Sequence, residues 1–147
     1  MNVQNKKVVV FANGIFDLLH PGHIKLLMFA KSLGDKLIVG LNSDRVTKIL
    51  KGNNRPIQDE NSRREALENL SFVDEVVILD DVRTANIVRN LKPNIVVKGN
   101  EYTIQEVRKT DSIPESVEIV TFPIVNDSSG NKISTTSIIE GMINKRV

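Results

Sequence analysis

Val8-Val9-Val10-Phe11-Ala12-Asn13-Gly14-Ile15-Phe16-Asp17-Leu18-Leu19-His20-Pro21-Gly22-His23-Ile24-Lys25-Leu26-Leu27-Met28-Phe29-Ala30 is the stretch that decides the fold. The apolar run Val8–Phe11 reads as a buried strand, and Ile24–Ala30 reads as an amphipathic helix. Between them lies a turn that carries both histidines of the chain. Pro21 suits a first helical turn, where its missing N–H has no partner to lose. Gly22 allows close approach of the backbone to a ligand. Free N–H groups and the positive end of the helix dipole there predict an anion site. Imidazoles at such a place can bond a phosphate and stabilise charge that grows on it. Two other readings stand beside this one. A histidine at a helix start can simply be a cap. His20 and His23 could also be half of a metal site, but the chain has no cysteine and no further histidine, so carboxylates would have to complete it.

The alternation continues to the end of the chain. Lys36–Leu41, Glu75–Leu79, Asn94–Lys98 and Val117–Phe122 read as further strands. Asp59–Phe72, Thr84–Leu91 and Ser134–Ile143 read as helices, and Ser62-x-x-Glu65 is a candidate capping box. The strands are short continuous apolar runs, as expected where helices cover both faces of a parallel sheet. The expected fold is therefore α/β: a Rossmann-like, doubly wound, parallel five-stranded sheet in one domain over residues 1–147, with 1–6 as a disordered tail. The 147 residues suffice for one buried core.

Bulk properties exclude several classes. No stretch approaches the roughly 20 apolar residues of a membrane span, and the N-terminus lacks the apolar core of a secretory signal. The absence of cysteine fits a reducing cytoplasm. A net charge of +2 does not suggest a nucleic-acid partner. The distribution of charge says more: Arg45, Lys48, Lys51 and Arg55 fall in a stretch without acidic residues. With Gly52-Asn53-Asn54 inside it, Arg45–Arg55 reads as a mobile loop whose lysines close over a polyphosphate. Arg63 is placed to reach the same phosphates, and Arg64 to face solvent.

Ligands of such sheets bind beyond the carboxyl ends of the strands. Besides Gly14–His23 and the basic stretch, two segments lie there. Lys98-Gly99-Asn100-Glu101-Tyr102 offers a tight turn, polar groups and a ring. Ser134-Thr135-Thr136-Ser137 places four hydroxyls at a helix start, more than capping requires. No Gly-x-Gly-x-x-Gly, P-loop or Gly-x-Ser-x-Gly elbow is present. Histidines, a basic stretch and two phosphate cradles suit phosphoryl-type chemistry done by positioning, without a protein nucleophile.

These motifs resemble the cytidylyltransferase-like nucleotidyltransferases. The signatures are His20-Pro21-Gly22-His23 and Ile133-Ser134-Thr135-Thr136-Ser137-Ile138-Ile139. Asn13–Asp17, Leu33–Val39, Val46–Pro56 and Lys92–Gly99 are most similar to the adenylyltransferase domain of ADP-heptose synthesis enzymes. Glycerol-3-phosphate cytidylyltransferases share the signatures and the pattern around Arg63 and Val73–Val76, but resemble Lys51–Pro56 less.

The resemblance implies that a nucleoside monophosphate passes from a nucleoside triphosphate, with ATP favoured, to a sugar phosphate such as heptose 1-phosphate. Pyrophosphate is released, and Mg²⁺ is carried by the triphosphate rather than by side chains. It implies catalytic roles for His20, His23, Lys51 and Arg63. Nucleotide contacts would come from Asn13, Gly14, Ile15, Phe16, Asp17, Gly22, Lys98, Gly99, Asn100, Glu101, Ser134, Thr135 and Thr136, and acceptor contacts from Asp17, Lys48 and Lys51. Asn100 stands where the heptose enzymes carry a second glycine. A homodimer or larger assembly is implied. CTP with glycerol 3-phosphate, another polyol phosphate or a phosphonate is the alternative chemistry, and a nucleotide-binding module without turnover is the alternative class.

Overall fold

The computed structural model describes residues 7–99 and 103–123. Five parallel strands form one sheet: β1 (Val9–Gly14), β2 (Lys36–Asn42), β3 (Glu75–Leu79), β4 (Ile95–Gly99) and β5 (Glu118–Phe122). Their spatial order is β3-β2-β1-β4-β5, so the chain reverses direction across the sheet between β1 and β4. That pair is in register from Val10 beside Ile95 to Ala12 beside Val97. Alternation along the strands sends one set of side chains to each face. Val10, Ala12, Leu37, Val39, Leu41, Ile95 and Val97 pack with Leu27, Ala30 and Leu67. These last three belong to α1 (Pro21–Ser32) and α3 (Glu60–Glu68). Phe11, Ile38, Val96 and Ile119 pack on the opposite face with Val88 and Val107, from α4 (Thr84–Leu91) and α5 (Ile104–Thr110). The expected doubly wound sheet is thus the observed one.

Polar side chains close the end of the sheet away from the strands' carboxyl termini. Asp35 accepts from Val8 N–H at 2.7 Å, Asp74 from Leu37 N–H at 2.7 Å, and Asn94 from Val9 N–H at 2.8 Å. Lys31 also donates to Asp74, and this bond and the one from Leu37 hold its carboxyl below the usual range. Among the described residues no helix is long and apolar enough to cross a membrane.

Four local expectations are corrected. Most of Arg45–Arg55 is not a loop: Asp44–Lys51 is a helix, α2, capped by Ser43, whose hydroxyl accepts from Val46 N–H at 3.1 Å. Val46 and Thr47 are buried and fix its inner face. Gly52, the residue read as loosening the segment, is instead the cap at its end, with a φ of 100° that favours glycine. Second, α3 is capped by Asp59, which accepts from Ser62 N–H at 2.8 Å, so Ser62 receives no capping-box role. Third, α3 closes at Asn69 rather than running to Phe72. Fourth, α5 carries only Val107 as a buried residue, too little apolar periodicity to be legible. Thr103-x-x-Glu106 was its available signal, since Thr103 caps the helix by accepting from Glu106 N–H. The helix expected over 134–143 lies outside the described residues.

Candidate active site

His20 is the N-cap of α1 and Pro21 its first residue. The His20 ring does what a capping hydroxyl ordinarily does. Its Nδ1 accepts from Gly22 N–H at 3.1 Å and from His23 N–H at 3.4 Å. The helix-start amides expected to meet an anion directly, Gly22 among them, are therefore already engaged. An Nδ1 that accepts is unprotonated, so the neutral ring carries its proton on Nε2. That Nε2 is buried and has no hydrogen-bond partner among the described residues; the same is true of His23 Nδ1. Stranding a buried polar atom costs about 1–3 kcal/mol, so two such atoms side by side mark a place prepared for a ligand.

The two imidazoles stack with centroids 3.7 Å apart, and Phe16 meets His23 edge-on at 5.4 Å. Burial pushes the His20 pKa down. His23 is pushed down to about 3, by burial first and then by His20, against an opposing pull from the Asp17 carboxylate. Both rings are thus neutral hydrogen-bonding groups near pH 7, not standing cations.

A cavity of about 250 Å³ opens beside His23 at the carboxyl ends of β1 and β4, and His20, stacked on His23, is not among its lining residues. Asn13, Gly14, Ile15, Phe16, His23, Lys98 and Gly99, all among the candidate site residues, line it together with Leu26 and Val97. This is the switch point of the sheet, where ligands of open α/β folds bind. Phe16 and Leu18 have φ values of 49° and 51°, a left-handed conformation unusual for bulky residues and typical of functional turns.

Other expected site residues do different work. Asp17 is fully buried and accepts from Ile57 N–H at 2.7 Å and Gln58 N–H at 3.0 Å, with Arg55 Nε 3.5 Å away. It holds the segment after α2 and is not among the cavity walls. Arg63 is corrected from a phosphate ligand to a clamp. It is 0% exposed. Its Nε donates to Gln58 O, its Nη1 to Ile15 O and Asn42 O, and its Nη2 to Asp44 at 2.7 Å. Four of its five N–H donors are spent inside the protein. Arg64 faces solvent beside Glu68, as expected. Lys48 and Lys51 are exposed at the end of α2 and do not line the cavity. Asn100, Glu101, Ser134, Thr135 and Thr136 lie outside the described residues. Sequence reasoning missed Asp44 and Asp111, the carboxylate partners of Arg63 and Lys98. A charged side chain carries no sign of its partner in one-dimensional spacing.

Among the described residues no group of three His, Asp or Glu side chains could hold a metal ion. The half-site reading of the histidine pair thus finds no completing carboxylates there, and one of its four ring nitrogens already caps a helix.

Two outcomes follow. Arg63→Met leaves three partly buried carbonyls and the Asp44 carboxylate without this donor, so it lowers stability by about 2–4 kcal/mol in urea unfolding. A variant as stable as the parent but selectively weak for phosphate would restore the phosphate role. The histidines set a pH dependence. The unfolded chain takes up protons near 6.5 that the folded rings refuse, so stability falls as pH drops from about 6.5 towards 3. Asp59, Asp74, Asp80 and Asp81, held below 3.8, withdraw their stabilisation only at lower pH. Melting temperature therefore declines between pH 7 and 5, and His23→Gln flattens the decline; an unchanged slope in that variant contradicts the assignment.

Comparison with known proteins places the chain in a family. The cytidylyltransferase-like family model matches residues 11–141. Among curated relatives, the bifunctional protein HldE of Campylobacter fetus is 48% identical over 116 residues, 79% of this chain and 25% of that protein. The bifunctional protein HldE of Geobacter metallireducens is 43% identical over 140 residues, 93% of this chain and 27% of that protein. The chain thus spans about a quarter of the length of these relatives. Among solved structures, the lipopolysaccharide core biosynthesis protein of Thermoplasma volcanium aligns with a TM-score of 0.69 and 33% identity, covering 80% of this chain and 97% of that one. Pantoate-beta-alanine ligase of Francisella tularensis, at 20% identity and a TM-score of 0.66, shares the fold. The chain belongs to the cytidylyltransferase-like family.

Proposed function

We propose that this domain transfers a nucleoside monophosphate, with ATP as donor, to a sugar phosphate such as heptose 1-phosphate. The observation that carries the reading is the pair of stacked, neutral histidines with buried, unpartnered nitrogens, of which His23 lines the cavity at the switch point and His20 packs against it. An acceptor phosphate oxygen attacks the α-phosphorus of the triphosphate. The bond from that phosphorus to the oxygen bridging it to the β-phosphate breaks, and pyrophosphate leaves with the electron pair.

Charge grows on the leaving phosphates and on the non-bridging oxygens as the step proceeds. His20 Nε2–H is a fixed donor for it, and no cation has to be desolvated beforehand. Backbone amides at the helix start polarise the ring through Nδ1, so the positive end of the α1 dipole is relayed to Nε2. Phe16 and Gly14 form cavity wall around the nucleotide, and the exposed lysines 48 and 51 meet phosphates that arrive from solvent. A divalent cation would enter on the triphosphate's own oxygens and offset their charge, since magnesium is commonly held by substrate phosphates and water.

The choice of heptose phosphate and ATP is supported by the resemblance of Val46–Pro56 and Lys92–Gly99 to the heptose adenylyltransferase domain. Pyrophosphate release, measured over four nucleoside triphosphates crossed with sugar and polyol phosphates, tests it. ATP with heptose 1-phosphate is expected to give the highest kcat/KM, and His23→Ala to lower turnover about 100- to 1000-fold with the fold retained. CTP with glycerol 3-phosphate as the best pair overturns the donor and acceptor assignment. A folded His23→Ala variant with near-normal turnover overturns the site.

A further inference from the structure

Lys98 separates two cavities. It lines the one of about 250 Å³ beside the histidines and also one of about 240 Å³ bounded by Glu106, Val107, Thr110 and Asp111. The ammonium is well covered and has two partners: Asn13 Oδ1 at 2.8 Å and an Asp111 carboxylate oxygen at 3.0 Å. These three residues come from β1, β4 and the end of α5. An ammonium can only donate, so the Asn13 amide must turn its oxygen to Lys98. The NH₂ group is then the half of Asn13 left for a ligand in the cavity it lines. Among the described residues Lys98 uses two of its three N–H donors.

The geometry points to Asp111 as a positioning residue for nucleotide binding: it holds Lys98, and through Lys98 it fixes which half of the Asn13 amide the nucleotide meets. This rests on the nucleotidyltransferase reading above. Without the carboxylate, a four-carbon stem regains its rotamers and the amide loses the contact that sets its orientation. Among the described residues Asp111 pairs its side chain with Lys98 alone. Its capping of α5 uses the backbone N–H, donated to Val107 O at 2.9 Å, which a substitution preserves. Neither Asn13 nor Lys98 belongs to the histidine pair. Their loss therefore weakens binding before the chemical step, raising KM with little change in kcat.

The test is a double-mutant cycle on the pyrophosphate-release assay, with Asp111→Asn, Lys98→Met and the double variant. Asp111→Asn is expected to raise KM for the nucleoside triphosphate about tenfold, the effect of one charge-assisted hydrogen bond. Its kcat stays within about threefold, and in the Lys98→Met background Asp111→Asn adds nothing further. Asp111→Glu, which keeps the charge, restores most of the affinity. An unchanged KM overturns the inference, and so does an equal rise in both backgrounds, since that effect would not pass through Lys98. A parent protein that binds and turns over no nucleoside triphosphate overturns the functional reading itself. An active parent with an indifferent Asp111→Asn overturns only the positioning role.

Discussion

The guanidinium of Arg63 is the constraint on which the site depends. It joins three pieces of chain that are remote in sequence: the turn after β1 through Ile15 O, the end of β2 through Asn42 O and Asp44, and the segment before α3 through Gln58 O. Asp17 takes the same segment from the other side, through the N–H groups of Ile57 and Gln58. The β1–α1 turn is thereby held in a conformation that places Phe16 and Leu18 at positive φ. Such backbone persists only where its surroundings over-determine it. A buried guanidinium with geometric partners on three sides meets that condition, where a compact ammonium would not.

Built on that frame, the start of α1 differs from a plain phosphate cradle. The helix amides do not face the cavity bare. They terminate on His20 Nδ1, and the ring passes their polarity to Nε2 on its far side. The arrangement moves the donor outward from the helix while fixing its tautomer. Burial keeps His20 neutral, and burial together with the stacked His20 ring keeps His23 neutral. A site built this way presents donors to an incoming polyphosphate without storing positive charge in its absence. Lys98 and Asn13, which line the same cavity, form a second polar group. The cavity thus has a polar group on each of the two strands that define the switch point.

The sheet was legible because its strands are unbroken apolar runs between glycines, prolines and polar turns. Glu75–Leu79 and Thr84–Leu91 coincide with the observed elements. The histidine turn was legible because Pro21 and Gly22 mark a helix start between an apolar strand and an apolar helix face. The Arg45–Arg55 stretch misled because basic composition and glycine outweighed the two buried positions, Val46 and Thr47, that commit it to a helix. Arg63 misled for a related reason. The first two turns of its helix are polar, and a buried arginine looks like a solvated one until its acceptors, all of them remote in sequence except Gln58, are known. The same holds for Asp111, whose partner Lys98 meets it only in the folded protein.

The most direct test of the central claim is the ¹⁵N spectrum of the two imidazoles, recorded at neutral pH with and without a non-hydrolysable nucleoside triphosphate. In the free protein His20 should show an unprotonated Nδ1 and a protonated Nε2, and both rings should be neutral. On addition of the nucleotide the His20 Nε2 resonance should move as it gains a phosphate acceptor, while the tautomer stays the same. A His20 ring protonated on Nδ1, or resonances that ignore a triphosphate bound elsewhere on the protein, would contradict the claim that this capped histidine is the donor at the phosphate site.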